Sequence, residues 1–245
     1  MDLRIYPNKT ELSKNAAQYG AEILRNVLQE KGEANIVVAT APSQFEMLKY
    51  LAQAPNIAWN KVNIFHLDEY VGLPIAHKAG FRLNLKLNFL DLLPSAPAQF
   101  FPVDGDHAEA FLTSIQAILK QRTIDLAFIG VGENGHIAFN DPPADFTTDR
   151  AFKIVKLDQA CRNQQYTEGW FPTLDAVPTT ALSMTVPQIF SSKVIVNVVP
   201  DERKALAVKS MVEGPVTPDC PASILQTHAG CVTFLDEFSA SLLKK

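Results

Sequence analysis

Residues 124–146 read IDLAFIGVGENGHIAFNDPPADF, and this stretch decides the fold. Ile124–Ile129 is a short apolar run broken only by Asp125, the pattern of a strand buried on both faces of a parallel sheet. Gly130, Gly132 and Gly135 follow at once, so the backbone can turn sharply and approach a ligand closely. His136, Asn140 and Asp141 come next, before Pro142-Pro143 stops any helix. In open α/β sheets ligands bind outside the carboxyl ends of the strands, where this loop would lie. GVGENG also fits the G-x-G-x-x-G dinucleotide pattern, but that pattern needs a long helix opening at the third glycine to hold a pyrophosphate. The two prolines leave no room for one.

Outward from this loop, strands and helices alternate. Leu3–Tyr6 reads as a strand, followed by a helix capped by Thr10, with Leu12, Ala16, Tyr19, Ile23 and Val27 at helical spacing and Gly32 as its stop. Asn35–Thr40 is a second buried strand. It runs through Ala41-Pro42-Ser43-Gln44 into a helix beginning at Phe45, with Ser43 as its cap. Such a turn is either an ordinary strand–helix connection or an anion site, because free N–H groups and the helix dipole favour phosphate. Val62–Leu67 is a third strand, ending in Asp68-Glu69-Tyr70. Paired carboxylates there read as a solvated loop pair or, if burial or like charge raises one pKa, as a general base.

Further on, 79–93 and 107–122 read as helices, and Phe152–Leu157, Thr180–Val186, Val194–Val199 and Cys231–Leu235 as strands. Residues 159–178 read as irregular, with Trp170-Phe171-Pro172 forming a lid or a packed loop. Asp201 is expected to cap the helix over 202–214, placing Lys204 in its first turn, where a cation opposes the helix dipole. The expected architecture is one α/β domain over residues 1–245. It has a single doubly wound, mostly parallel sheet flanked by helices, in Rossmann-like fashion.

Composition narrows the function classes. A net charge of −4 gives no basic footprint for nucleic acid. No apolar run approaches the ~18 residues of a membrane span, and the N-terminus lacks a signal peptide's apolar core. The three cysteines, Cys161, Cys220 and Cys231, have no metal-like spacing and suit a reducing compartment. The expectation is a cytoplasmic enzyme acting on a small molecule, without a membrane or nucleic-acid partner.

Four segments, LDEYVGLP (67–74), GVGENGHIAFNDPP (130–143), VPTTALSM (177–184) and KALAVKSMVEG (204–214), together resemble the glucosamine-6-phosphate deaminase (isomerase) family, which is related to the 6-phosphogluconolactonases. The lactonases look different after the histidine, lacking the AFN-D/E-P continuation. The resemblance implies conversion of an amino-sugar 6-phosphate and water into a ketose 6-phosphate and ammonia, with no metal and no organic cofactor. It implies that Asp68 moves the proton between C2 and C1 and that His136 helps open the pyranose ring. Asp141, glutamate in many members, would orient His136, and Asn134 stands where some members have aspartate. Lys204 and the loop Thr40, Ala41, Ser43 and Gln44 would bind phosphate, with Glu69 and Gly135 also at the substrate. An arginine that binds phosphate in some members is missing from QQYTEGWF (164–171), and Arg162 and Arg82 are the candidate substitutes. Two other readings stand beside this one: a sugar-lactone phosphate hydrolase using His136 as base, and a silent sugar-phosphate sensor. Gluco- or galacto-configuration of the substrate and assembly as a homo-oligomer are left open.

Overall fold

The computed structural model describes residues 1–244. Its main sheet has seven parallel strands: β1 (Asp2–Tyr6), β2 (Ala34–Val38), β3 (Val62–His66), β5 (Gln99–Phe101), β6 (Leu126–Ile129), β9 (Val194–Val199) and β10 (Cys231–Asp236). They lie in the order β1-β10-β9-β6-β2-β3-β5. The chain builds outward from β2 to β3 and β5, then returns to place β6 on the other side of β2. The order therefore reverses between β2 and β6. This is the doubly wound arrangement that alternating apolar runs and helices imply.

Alternation within the central strands explains the helices on both faces. Ile36, Val38, Ile64, Leu126 and Phe128 belong to one core with α1 (Lys9–Lys31) and α2 (Phe45–Ala52). Val37, Phe65, Ala127 and Ile129 belong to the opposite core with α4 (Ala108–Leu119), α6 (Val186–Phe190) and α7 (Ala205–Glu213). Successive side chains of a strand point to opposite faces, so a strand apolar at every position must be covered twice. Gly20 lets α1 approach: a Cβ there would overlap the ring of fully buried Phe128. Truncating Phe128 to alanine would leave a cavity costing about 3–5 kcal/mol.

A second sheet, antiparallel and three-stranded, is formed by β4 (Asp68–Tyr70), β8 (Thr180–Met184) and β7 (Phe152–Lys156), with β8 in the middle. The chain leaves the main sheet at Leu67 and pairs at once with β8, Asp68 opposite Ser183 and Tyr70 opposite Ala181. The Asp68-Glu69 pair is therefore in a buried strand, not the loop that its charge suggests. A small third core lies over this sheet, built on Tyr70, Phe139, Phe171 and Ala181, and α3 (Phe81–Asn88) lies beside it, with Phe81 stacked on Phe139.

Several local expectations are corrected. The cap of α1 is Asn8, whose side chain accepts the Glu11 N–H at 2.9 Å; Thr10 lies inside the helix and bonds Glu46 instead. Asn8 precedes Lys9-Thr10-Glu11, so the amide-then-glutamate spacing of a capping box was present two residues earlier than the threonine. Ser43 does not cap α2: Gln44 occupies that position in a helical conformation without a side-chain bond. The stretch 159–178 contains a helix, α5 (Gln159–Thr167), capped by Asp158, which accepts the Cys161 N–H at 2.6 Å. Its sequence QACRNQQYT carries almost no apolar period. Asp201 has a left-handed φ of 80° and makes no side-chain cap. A tight turn over Glu202–Lys204 intervenes, so α7 starts at Ala205. Strand β5 and helix α6 are short elements that periodicity did not separate from their loops.

Among the described residues no helix is long and apolar enough to cross a membrane.

Candidate active site

The strand order reverses between β2 and β6, and the loops that follow those two strands face each other across the gap. The β2 loop brings Thr40–Gln44 and the β6 loop brings Gly130, Val131, Gly132 and His136 to a cavity of about 190 Å³. Asp68 at the start of β4 and Lys204 ahead of α7 line the same cavity. Residues from four separate parts of the chain thus converge where open α/β sheets bind ligands.

The histidine loop is folded by its own residues. Gly135 has a φ of 84°, a conformation glycine adopts without strain. Gly132 N–H donates to His136 O at 2.9 Å, and the His136 N–H donates to Asn134 Oδ1 at 3.1 Å. His136 Nδ1 then lies 3.0 Å from Asp141 Oδ1, close enough for an ion pair though poorly aligned for a linear hydrogen bond. Asn134 Nδ2 donates to the same Asp141 oxygen at 3.1 Å, and the Asp158 N–H donates to the other at 3.3 Å. Burial pushes the Asp141 carboxyl up, but His136, Asn134 and the Asp158 N–H together hold it below the usual carboxylate range. Asp141 is therefore ionised beside the imidazole, even though it is one methylene shorter than glutamate.

The second sheet fastens this loop. Asn140 Nδ2 donates to Ile137 O and to Met184 O, each at 2.8 Å, and the Phe139 N–H donates to Ser183 Oγ at 3.1 Å. Asn140 and Ser183 are positioning residues that the sequence reading did not assign. Their signal was present in the FND and ALSM segments.

Asp68 is 6% exposed, and its carboxylate makes no hydrogen bond or ion pair among the described residues. Burial raises its carboxyl well above the ordinary range, and the charge of Glu69 adds to the rise. Glu69, expected at the substrate, does not line the cavity. Its side chain points to the start of α3, where it accepts N–H bonds from Phe81 at 3.1 Å and Arg82 at 2.7 Å, as well as from Tyr70 at 2.9 Å. Adjacent residues of a strand face opposite ways, so only one of the two carboxylates can meet the ligand.

The remaining assignments divide in the same manner. Thr40, Ala41, Ser43, Gln44, His136 and Lys204 line the cavity. Asn134, Gly135 and Asp141 do not: Asn134 and Asp141 reach it through His136, and Gly135 turns the loop while packing on Cys220. Gln44 also has a structural bond, donating to Val198 O at 2.9 Å across the sheet. Lys204 is 6% exposed; burial pushes its ammonium down, while Glu133, Glu168 and Asp201 oppose the shift. Arg82 is held by Glu69, Asp104 and Asp106, and Arg162 by the carbonyls of Leu174 and Val177, so neither candidate substitute reaches the cavity. Residues missed from the sequence are Lys9, Arg203 and, from α5 and the segment after it, Gln164, Glu168 and Trp170. Trp170 lay in the stretch read as a lid or packed loop.

His136, Asp141 and Cys161 have potential metal-ligand atoms within 4.8 Å of one another. The donor set is poor: the Cys161 thiol is pushed far up by burial and nearby carboxylates, and Asp141 already serves Asn134, Asp158 and His136.

Residues 7–234 match the family model described as glucosamine-6-phosphate isomerases/6-phosphogluconolactonase. The chain is 39% identical over 184 residues to a glucosamine-6-phosphate deaminase of Exiguobacterium sibiricum, covering 74% of this chain and 71% of that protein. It is 33% identical to the glucosamine-6-phosphate deaminase of Lacticaseibacillus paracasei over the full length of both. Among solved structures, a monomeric glucosamine-6-phosphate deaminase superposes with a TM-score of 0.89 at 29% identity, over 99% of this chain and 100% of that one. The 6-phosphogluconolactonase of Trypanosoma brucei superposes with a TM-score of 0.81 at 14% identity, over 99% and 98% of the two chains, a likeness of fold.

Proposed function

The chain belongs to the family of glucosamine-6-phosphate isomerases and 6-phosphogluconolactonases, and from that premise we propose that it deaminates and isomerises a hexosamine 6-phosphate, with Asp68 and His136 carrying the chemistry. The enzyme is of the isomerase/deaminase kind, and residues 1–245 act as one catalytic domain. The observation that carries the assignment of roles is the pairing of two unlike groups in one cavity. Asp68 is buried without a cation, and His136 has one nitrogen against an ionised carboxylate.

The steps follow from these environments. Sugar phosphates bind as closed rings. A proton delivered by His136 to the ring oxygen, with loss of the proton on the anomeric hydroxyl, opens the ring to the aldehyde. Asp141 orients the imidazole through Nδ1, leaving the other ring nitrogen for the sugar. Asp68, its carboxyl raised by burial and by the charge of Glu69, removes the C2 hydrogen and returns a proton to C1, while the aldehyde oxygen gains a proton and the ammonium nitrogen gives one up. The product is a 2-imino ketose. Water adds at C2, the amine takes a proton, and ammonia leaves as the new C2 hydroxyl gives up its proton, yielding the ketose 6-phosphate. Lys204 and the Thr40–Gln44 loop hold the phosphate. A phosphorylated metabolite as substrate and unpaired cysteines support a cytoplasmic location.

The test is ammonia release from glucosamine 6-phosphate, galactosamine 6-phosphate and their unphosphorylated forms, alongside hydrolysis of a 6-phosphogluconolactone. Ammonia from a phosphorylated hexosamine is expected. Lactone hydrolysis without ammonia from any hexosamine phosphate would overturn the reading, because a hydrolase has no use for Asp68.

A further inference from the structure

One end of the cavity gathers two adjacent cations that the proton-transfer steps do not use. Lys204 is followed outward by Arg203, its neighbour in the same tight turn, and both line the cavity. Among the described residues Arg203 is the one guanidinium that does so. Arg82 and Arg162 are committed elsewhere, to carboxylates and to backbone carbonyls. Across the cavity the β2 loop presents polar atoms with no partner: Thr40 Oγ1 and Gln44 Oε1 are both buried and make no hydrogen bond. Buried polar atoms without partners mark a place where a ligand completes the bonding.

The guanidinium is not idle. Arg203 Nη1 lies 3.2 Å from Glu133 Oε1, in the histidine loop, and 3.7 Å from Glu168 Oε1, at the end of α5. Glu168 also accepts bonds from Gln164 Nε2 at 3.0 Å and Trp170 Nε1 at 3.2 Å. Arg203 is more than half exposed, and ion pairs in that setting are weak and screened. A phosphate offers the same group two parallel oxygens and a larger charge, which is the geometry a guanidinium fork matches best.

Building on the proposed deaminase reading, the geometry points to Arg203 as the second cation for the substrate's 6-phosphate, held between Glu133 and Glu168 until the phosphate takes it. Lys204 supplies the buried charge and Arg203 the fork. The arginine thereby stands in for the one absent from 164–171, reaching the site from the turn before α7 and meeting that segment at Glu168. Because Glu168 also anchors Trp170 and Gln164, taking Arg203 away from it loosens one tie between α5 and the phosphate end.

The experiment compares Arg203→Gln, Arg203→Lys and Glu168→Gln in the full chain, reading inorganic phosphate binding by calorimetry and KM and kcat for glucosamine 6-phosphate. Arg203→Gln is expected to weaken phosphate binding and raise KM by roughly 10- to 100-fold, the loss of a hydrogen bond to a charged group, with kcat nearly unchanged. Arg203→Lys should recover only part. Glu168→Gln should not weaken phosphate binding, since it removes a competitor for the guanidinium. If Arg203→Gln binds phosphate as the parent does, the proposal fails. If Arg203→Gln and Glu168→Gln weaken binding together, the pair is a structural latch and the proposal also fails. Phosphate binding is read without turnover. A parent chain that binds phosphate and loses it on Arg203→Gln, yet releases no ammonia, would overturn the deaminase reading and leave the anion site standing.

Discussion

His136 and Asp141 meet at 3.0 Å from within a single loop, and Asp141 is the ionised partner. Asn134 and the Asp158 N–H fix the carboxylate from its other sides, so the imidazole is oriented by a group that is itself held in place. His136→Gln should lower deaminase activity by ~10²–10⁴, the usual cost of a lost acid or base. An open-chain substrate should restore part of that loss. Asp141→Asn should fall short of the same loss, because Asp141 acts through His136, and Asp141→Glu should recover activity. An open-chain substrate that rescues nothing in His136→Gln would reduce the histidine to packing. The folded Asp141 carboxyl sits below the ordinary aspartate value of 3.8, so its stabilisation is present above that pH and is lost as pH falls through the lowered value. Thermal melts of Asp141→Asn should accordingly show a shallower acid loss than the parent.

Gly132→Ala should impair catalysis without unfolding the loop. A Cβ on Gly132 would overlap the His136 imidazole, which must then swing off Asp141. A displacement of about 1 Å at a reacting group is enough to cost ~10² in rate. The measurement is kcat/KM beside the melting temperature; loss of both in proportion would point to general destabilisation instead.

Asp68→Asn should abolish most turnover and raise stability. The sign follows from the raised pKa: the folded state favours the protonated carboxyl. Its contribution to stability is full below the unfolded value of 3.8 and is lost as pH rises through the folded pKa. The variant should therefore melt higher than the parent at neutral pH, by about 2–4 °C per kcal/mol recovered, and lose that advantage in acid. In the parent, the acid limb of kcat/KM should lie above the range of a solvated aspartate. A neutral-pH melt unchanged by the substitution would mean that Asp68 is not a costly buried charge.

Glu69→Gln should separate the two adjacent carboxylates. Glu69 accepts the N–H groups of Tyr70, Phe81 and Arg82, and a single amide oxygen cannot serve all three. The loss should be about 1–3 kcal/mol, seen as a lower melting temperature. The Glu69 charge also raises the Asp68 carboxyl, so the acid limb of kcat/KM should move to lower pH. A large rise in KM with no change in stability would return Glu69 to the substrate.

The sequence by itself determined what is local. The apolar run at 124–129 and the glycines behind it require a buried strand and a sharp loop, and His136, Asn134 and Asp141 stand close enough in the chain to meet whatever the rest does. The alternation of such runs with helical periods dictates a doubly wound sheet. Tertiary structure decided everything that depends on which strands pair. Asp68 and Glu69 look alike in sequence; register with Ser183 and Leu182 on β8 sends one to the cavity and the other to the start of α3. Helix α5 lacks an apolar period and rests on an Asp158 cap whose other oxygen meets Asn134. Arg203 reads as a surface charge beside Lys204 until β9 is placed next to β6, which brings Glu133 to its guanidinium. Strand pairing joins residues far apart in the chain, and their side-chain chemistry alone does not encode the register, whereas a glycine turn and a histidine–carboxylate pair are written within a few residues.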